Sequence, residues 1–506
     1  MVSSSVALSL VAVTVVAVTV IGLRYSRGEV GSVEEFITAR DSIGTRTMVA
    51  TLLASNLGGW ILFSPAEAGA AFGGITAIAG YALGSAGASL VYVLVGPRIR
   101  RLIPRGHTLT EYAYVRYGPA MYAYILLISL CFMFISLAAN MTGIVGVLSL
   151  VAGVPAWQTA GLVGTFVLVY TAYGGLKASI FTDTVQLVVV LPLLGLVFAV
   201  TLLSLGGPRT IGSTVAASDP SLLDPGFVPG LLFGVYIVVA IAGAELLNQA
   251  WWQRVYAAQD ERTVRRSFAV SGLAVVPIVA VAGLFGVAAA GYGLVEGPGD
   301  ASVALFRLVL ETLPEWVGLV VVLLAVLLVM STADTLFNAI ASVVTADLPR
   351  LLDDPSERSL TFAARVTTVA VALGATVIGA RAYSVLALFL TADLFAVAAA
   401  VPLVYGLYSM RATERGMLAA SVSGLVVGMA FLPTVHGPLS ALPVLGGLVP
   451  APSFLWAFLG AAAVSAGLAV LSARLTDAGF DPNRLSREIG LLGAGPTETH
   501  LSERDD

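Results

Sequence analysis

The sequence predicts an all-α protein that crosses a lipid bilayer about thirteen times. Of its 506 residues, 58% are hydrophobic and 11% are charged, and the mean hydropathy is +0.94. A soluble domain of this length would lack the polar surface that it needs in water. A membrane-spanning helix needs roughly 20 apolar residues, whereas the strands of a membrane β-barrel are only about ten residues long and alternate in polarity. The apolar runs lie near residues 5–23, 47–73, 75–97, 119–151, 156–173, 178–205, 227–253, 268–292, 313–345, 361–380, 383–407, 416–434 and 452–473.

The basic residues are divided unevenly between alternate loops, which predicts the orientation of the chain in the plasma membrane. All but three of the 26 Lys and Arg residues fall on one side, and the exceptions are Arg209, Arg307 and Arg381. The positive-inside rule therefore places the N-terminus outside the cell and the C-terminus in the cytoplasm. The first run lacks a basic leader and its arginines follow it, which favours an uncleaved span over the alternative of a signal peptide.

Other classes of protein lack support in the sequence. The single cysteine, Cys131, excludes a disulfide framework, and the three histidines are scattered without neighbouring metal ligands. We find no phosphate-binding loop, no nucleophile motif and no large soluble domain. Neither an enzyme nor a nucleic-acid-binding protein is therefore predicted, and the polar tail from Thr476 onward is expected to be a short helix followed by disorder.

The second apolar run is predicted to contain a broken helix. Asn56-Leu57-Gly58-Gly59 stands near its centre, where a helix loses stability and its carbonyl groups become free. Broken helices with free carbonyls are the means by which secondary transporters coordinate a driving cation. A glycine kink that serves only helix packing is the alternative interpretation.

Polar side chains also interrupt three later runs. In the ninth run, Ser331 and Thr332 are adjacent hydroxyls, a pair suited to a hard monovalent cation. In the seventh run, the spacing of Glu245, Asn248 and Gln249 predicts one polar face on a continuous helix. Trp252 and Arg254, which follow, are interpreted as residues of the membrane interface. The eleventh run carries a further buried acid, Asp393, and an intramembrane carboxyl group is a functional hypothesis by default.

Three motifs in register resemble those of the sodium:solute symporter family. The resemblance runs in order from about residue 33 to 410. The matching residues are Tyr170, Gly174, Gly175, Ala178, Thr182, Asp183 and Gln186 in the first motif, Asn248, Gln249, Gln253 and Arg254 in the second, and Ser331, Thr332, Asp334, Asn338, Thr345 and Asp347 in the third.

The resemblance implies a LeuT-like fold with an inverted repeat of five plus five helices, formed by runs two to six and seven to eleven. It divides the chain into an N-terminal span and first loop (1–45), a transport core (46–410), accessory spans (411–475) and a cytoplasmic tail (476–506). It also implies a paired-glycine turn at Gly174 and Gly175 between two helices, with Lys177 at the interface.

The family resemblance further implies a sodium ion as the driving ion. The sodium site would use the carbonyls of Ala54, Leu57 and Leu328 and the hydroxyls of Ser331 and Thr332. Asp183 would line the path by which sodium leaves toward the cytoplasm.

The solute is expected to be small and polar. Sequence features of the urea-transporter branch favour urea or a similar neutral solute, with a proline-type amino acid or a sugar as alternatives. A transporter-like sensor or a channel is the competing class. The partners are therefore a small solute, sodium and the lipid bilayer, while the oligomeric state stays open. The residues expected to bind the solute are Asn56, Trp60, Glu67, Asn140, Glu245, Gln249 and Asp393.

The charge distribution generates a prediction about topology. A reporter enzyme that is active only in the cytoplasm should be active when it is fused after residue 506, because the basic loops and the tail lie on the same side. A reporter that is active only outside the cell should be silent at this position. Activity of the second reporter alone would contradict the predicted orientation.

Overall fold

Every named element of the structure, a computed structural model, is helical. The structure describes residues 2–26, 38–351, 357–379, 384–442, 446–477 and 479–490, and within helices it does not describe the side chains of residues 166–175, 298, 346, 348–351, 357–361, 364, 365, 368 and 372. The α-helices are α1 (Ser4–Ser26), α2 (Thr45–Asn56), α3 (Ser64–Glu67), α4 (Gly74–Leu102), α5 (Leu109–Arg116), α6 (Pro119–Ala152), α7 (Ala156–Ser204), α8 (Gly207–Ser218), α9 (Val228–Leu246), α10 (Gln249–Ala257), α11 (Glu261–Gly291), α12 (Pro298–Ala301), α13 (Ala304–Thr312), α14 (Glu315–Leu351), α15 (Glu357–Gly379), α16 (Val385–Tyr408), α17 (Glu414–Phe431), α18 (Pro433–Ser440), α19 (Phe454–Arg474) and α20 (Asn483–Glu488).

The predicted all-α membrane architecture is confirmed, since each of the apolar runs falls on helix. Within the described ranges, nine helices are long and apolar enough to cross a membrane, or ten if α17 and α18, bent by 84°, form one span. The estimate of about thirteen is higher partly because the count leaves out residues of the fifth run, on α7, and of the tenth run, on α15, whose surroundings are not described. The second run is also broken into short helices, and the twelfth falls on the bent pair α17 and α18. The structure assigns α7 as one helix through Gly174 and Gly175, where a turn was expected. These two glycines lie among the residues whose surroundings are not described.

Two helices are broken at corresponding places. Helix α2 ends at Asn56, and the chain continues through a 3₁₀ turn (Gly59–Leu62), α3 and a π-helical segment (Ala68–Gly73). This confirms the predicted unwinding around Gly58. The second break separates α9 from α10 at Leu247 and Asn248. Each break comes at the start of one half of the predicted repeat.

Helix packing shows the repeat directly. In the first half, α2 and α3 are followed by α4, α6 and α7, and α7 carries two of the predicted apolar runs; in the second half, α9 and α10 are followed by α11, α14, α15 and α16. Helix α9 packs on α4, and the helices at the equivalent places in the other half, α2 and α11, also pack on each other. In the same way α16 packs on α6, and their equivalents α7 and α14 pack on each other. Each half carries five of the predicted runs, an odd number, so the second half crosses the membrane in the opposite direction to the first. The repeat is therefore inverted.

Glycines bring α4 and α9 into backbone contact between the two halves. A Cβ atom added at Gly80 would overlap the Cα atom of Gly234 on α9. Small residues allow helices in a membrane to approach this closely. A Cβ atom added at Gly87, on the same helix, would lie 3.9 Å from the Cβ atom of Ala242, which is an ordinary van der Waals contact.

The contact between α4 and α9 predicts the effect of enlarging its glycine. Gly80→Ala should destabilise the protein by about 1–3 kcal/mol, because the added methyl group forces two backbones apart. Gly87→Ala is the matched control and should melt at the wild-type temperature in detergent. Equal melting temperatures for the two variants would contradict the close packing of α4 on α9.

Candidate functional site

A cavity of about 80 Å³ lies where the two broken helices face each other. A single water needs at least about 10–15 Å³ by the same measure, so the cavity accommodates more than one water or a small solute. Twelve of its sixteen lining residues are polar or acidic or carry a polar aromatic ring, and the other four are apolar. The lining residues are Ser55, Asn56, Trp60, Tyr81, Ser85, Phe132, Ser136, Asn140, Ile241, Glu245, Asn248, Trp251, Thr332, Leu336, Phe389 and Asp393.

The break after α2 is held open by side chains from neighbouring helices. The backbone N–H of Gly59 donates to Asn140 Oδ1 (3.1 Å) on α6, and Asn56 Nδ2 donates to Ser89 Oγ (3.2 Å) on α4. A Cβ atom added at Gly58 would lie 2.6 Å from Thr332 Oγ1 on α14. Glycine is therefore required for the broken segment to approach α14 so closely.

The break between α9 and α10 is stabilised by hydrogen bonds to its exposed carbonyls. Tyr92 Oη donates to the carbonyl of Glu245 (2.9 Å), and Trp252 Nε1 donates to the carbonyl of Leu246 (2.9 Å). Asn248 caps α10 through Oδ1, which accepts from the N–H of Ala250 (3.1 Å). These bonds satisfy backbone groups that a break inside a membrane would otherwise leave without partners.

Five of the seven residues expected to bind the solute line this cavity, and two lie elsewhere. Asn56, Trp60, Asn140, Glu245 and Asp393 are all in its wall.

Glu67 and Gln249 instead support the fold. Glu67 accepts from Ser384 Oγ (2.8 Å), which also caps α16, so it joins α3 to that helix. Gln249 accepts from the N–H of Leu109 (2.9 Å) and donates to the carbonyl of His107 (2.9 Å) and to Ser342 Oγ (3.2 Å). The predicted shared face of Glu245 and Gln249 is wrong, because the helix break between them removes the four-residue repeat on which it depended.

A second, smaller cavity of about 10 Å³ lies beside the residues expected to hold sodium. It is lined by Ala54, Leu57, Leu328 and Ser331, together with Gln186 and three apolar side chains. Thr332, the fifth expected residue, lines the larger cavity and donates to the carbonyl of Leu328 (3.2 Å). The five residues thus come from the break after α2 and from the middle of α14.

Asp183 connects this smaller cavity to a buried ion pair. Its carboxylate lies 3.2 Å from Arg254 Nη2, and the two side chains are 0% and 1% exposed. Ser331 Oγ donates to Asp183 Oδ1 (2.6 Å). Thr51 Oγ1 donates to Asp183 Oδ2 (2.8 Å), and Ser55 Oγ lies 3.4 Å from the same oxygen. Four elements, α2, α7, α10 and α14, therefore meet at this pair.

The predicted interfacial position of Trp252 and Arg254 is wrong, since both side chains are buried. Besides Asp183, Arg254 Nη2 donates to Ser55 Oγ (2.8 Å) and Thr335 Oγ1 (3.0 Å). The signal that could have identified Arg254 is the buried Asp183 itself, because a carboxylate inside a membrane protein needs a partner.

The buried pair predicts a strongly non-additive effect of mutation. Arg254→Gln leaves Asp183 with an uncompensated charge and should destabilise the protein by about 3–5 kcal/mol. Asp183→Asn in the same chain removes that charge, so the double variant should regain part of the lost stability. Melting in detergent measures both effects.

The control for this experiment is Arg101→Gln. This substitution breaks the exposed pair with Glu261 (3.3 Å) and should leave the melting temperature unchanged. Additive losses in the Arg254 and Asp183 variants would show that the pair does not act as a unit.

Comparisons with known proteins agree with this geometry. The spermidine transporter DUR31 of Candida albicans is 26% identical over 264 residues, which cover 51% of this chain and 49% of that protein. The urea-proton symporter DUR3 of Oryza sativa subsp. japonica is 24% identical over 445 residues, which cover 80% of this chain and 60% of that protein. The chain thus matches only about half of the first relative and less than two thirds of the second.

Two further comparisons establish the fold and the family. The solved structure of a Na+-coupled sialic acid symporter in a substrate-bound outward-open state superposes with a TM-score of 0.73 at 15% identity, covering 94% of this chain and 98% of that one. The two proteins therefore share a fold. The model of the sodium:solute symporter family matches residues 36–424. That match covers most of the chain, including every residue of the two cavities and of the buried ion pair, and the chain belongs to the sodium:solute symporter family.

Proposed function

We propose that the protein is a sodium-coupled symporter that imports a small polar solute across the plasma membrane by alternating access. One observation carries the proposal: two broken helices enclose a polar cavity, and a second cavity of about 10 Å³ adjoins the residues expected to hold sodium. Cavities formed at helix breaks between inverted repeats are where secondary transporters bind their solutes and ions. The N-terminus is proposed to lie outside and the C-terminus in the cytoplasm.

The smaller cavity suits sodium in its chemistry. The carbonyls of Ala54, Leu57 and Leu328 and the hydroxyls of Ser331 and Thr332 are uncharged oxygen ligands, as a hard monovalent cation requires. Ser331 donates its proton to Asp183, so its lone pairs remain available to an ion. A site without formal charge should bind weakly, which lets the carrier release its ion inside the cell.

One sodium ion would supply enough energy for accumulation of the solute. Entry of one charge down about 100 mV releases about 2.3 kcal/mol, and a tenfold gradient adds about 1.4 kcal/mol. The sum, about 3.7 kcal/mol, corresponds to several hundredfold accumulation of a neutral solute.

We propose that Asp183 receives the sodium ion on its way to the cytoplasm. Its carboxylate accepts from the hydroxyl of Ser331, which lines the smaller cavity, so this acidic group lies one hydrogen bond from the proposed sodium site. A sodium ion that approaches Asp183 competes with the guanidinium of Arg254 for the negative charge of the Asp183 carboxylate.

The solute is expected to carry N–H donors. Among the lining residues that the structure describes, none is Lys, Arg or His, so a carboxylate solute such as an amino acid lacks a partner there. Urea, which the sequence favours, presents N–H groups to the acceptors of the cavity. The names of the relatives include both urea and spermidine, which are rich in such groups.

The proposed coupling is tested by uptake into proteoliposomes. Replacing external sodium by potassium at equal ionic strength should abolish accumulation of the solute. Accumulation that follows a proton gradient without sodium would assign the coupling to protons instead, as in the name of the rice relative.

The sodium site predicts how two hydroxyl groups affect coupling. Ser331→Ala and Thr332→Ala should each raise the sodium concentration for half-maximal uptake by about tenfold, because each deletes one of five oxygen ligands worth roughly 1–2 kcal/mol. The control is Thr201→Val on α7, since Thr201 donates to the carbonyl of Val197 in its own helix (2.7 Å). Wild-type sodium dependence in the Ser331 and Thr332 double variant would exclude this site.

A further inference from the structure

We propose that the larger cavity selects a positively charged amine, such as a guanidinium or small ammonium compound, over a neutral solute of the same shape. This inference rests on the transport function proposed above and names the solute class of the same site. It depends on two carboxyl groups, on the absence of a counterion in the described lining and on the aromatic walls of the cavity.

Asp393 differs from the other buried acids of the described chain. Its side chain on α16 is 7% exposed and lines the cavity, and no described residue forms a hydrogen bond with it. Burying a charge without a partner is costly, so buried carboxyl groups are normally paired. The other five buried acids follow that rule: Glu67 pairs with Ser384, Glu111 with His107, Asp183 with Arg254, Asp334 with Asn338 and Asp347 with Thr110.

Glu245 brings a second carboxyl group to the same cavity. Asn248 Nδ2 donates to Glu245 Oε2 (2.7 Å). The described lining residues include no basic side chain. The nearby guanidinium of Arg254 is bound to Asp183, Ser55 and Thr335 instead of to either cavity carboxyl group.

Aromatic rings complete a surface that suits a cation. Trp60, Tyr81 and Trp251 line the cavity together with two phenylalanines. Trp60 stacks on Tyr81 with ring centroids 5.7 Å apart. Trp251 packs against Tyr92 at 5.4 Å. A cation over the face of such a ring is attracted by its quadrupole, and desolvation strengthens the attraction.

Charge balance favours a monovalent cation as the solute. Arg254 is bound to Asp183, so Glu245 and Asp393 are carboxyl groups of the larger cavity without a basic partner in its described lining. A positively charged amine would supply a counterion to an ionised carboxylate there. A neutral solute supplies none, and a buried carboxylate without a counterion is costly, so with such a solute both groups would need a proton to remain buried.

Urea and guanidinium form a matched pair of probes for this proposal. Both are small planar molecules with a central carbon and three substituents, and guanidinium carries a positive charge at neutral pH. Calorimetric titration of the purified protein in sodium-containing buffer measures binding without requiring transport. The wild-type protein should bind guanidinium at least tenfold more tightly than urea.

Carboxyl variants connect that preference to the named residues. Asp393→Asn and Glu245→Gln should each weaken guanidinium binding at least tenfold and urea binding by a smaller factor, so that the preference for guanidinium falls. Glu67→Gln is the matched control, because Glu67 is a buried acid outside the cavity, and it should retain the wild-type preference. Urea binding as tight as guanidinium binding, binding of neither probe, or an unchanged preference in both cavity variants would each overturn the proposal.

Uptake into proteoliposomes separates this inference from the function on which it rests. Sodium-driven uptake of urea without uptake of guanidine would support the symporter function and overturn the charge selectivity. The converse result is guanidinium binding that depends on Asp393 together with uptake that does not depend on sodium. It would support the charge selectivity and overturn the sodium coupling.

Discussion

The ion pair between Asp183 and Arg254 is the interaction on which the arrangement of the two cavities depends. Asp183 comes from α7 in the first half of the repeat and Arg254 from α10 in the second, and neither is exposed to solvent. Separating such charges inside a protein costs several kcal/mol, so the pair fixes the two helices relative to each other. Hydroxyl groups from α2 and α14 complete the network. These are the same two elements that supply all five residues of the proposed sodium site.

Ser331 makes the proposed sodium site and the ion pair interdependent. Its oxygen faces the smaller cavity, while its proton is donated to Asp183 (2.6 Å). A cation beside this oxygen would polarise the hydroxyl and place a second positive charge close to the carboxylate. Arg254 would then hold Asp183 less strongly, since two cations would share one charge. Ion occupancy and the contact between the halves can influence each other through a single hydrogen bond.

The sequence predicted helices and breaks well because hydropathy and glycine act locally. An apolar run in a membrane must be helical to satisfy its own backbone, and Gly58 and Gly59 weaken a helix wherever they stand. Local sequence signals do not show which residue a buried charge pairs with. Arg254 follows an apolar run, as an interfacial arginine would, and its partner Asp183 is 71 positions away.

The polar face predicted for the seventh run failed for a related reason. The four-residue spacing from Glu245 to Gln249 places two side chains on one face only in a continuous helix. The chain leaves the helix at Leu247, so Glu245 reaches the cavity while Gln249 binds the start of α5. The break in the second run was predicted because two glycines stand at its centre. The seventh run has no glycine at its break, so no such signal indicates the break there.

The contacts between helices also differ in how readily one partner can be replaced by another. Helices α4 and α9 meet at Gly80 and Gly234 through a backbone contact, and a Cβ atom added at Gly272 on α11 would lie 2.8 Å from the Cβ atom of Ser89 on α4, so neither contact leaves room for a side chain. Such surfaces cannot separate without losing packing that nothing else replaces. The contacts of Asp183 are different, because water or a cation can take the place of each hydroxyl and of the guanidinium. The packing of α4 against α9 and α11 is therefore set by shape, whereas the contact between α7 and α10 at Asp183 and Arg254 is set by charge and can respond to an ion.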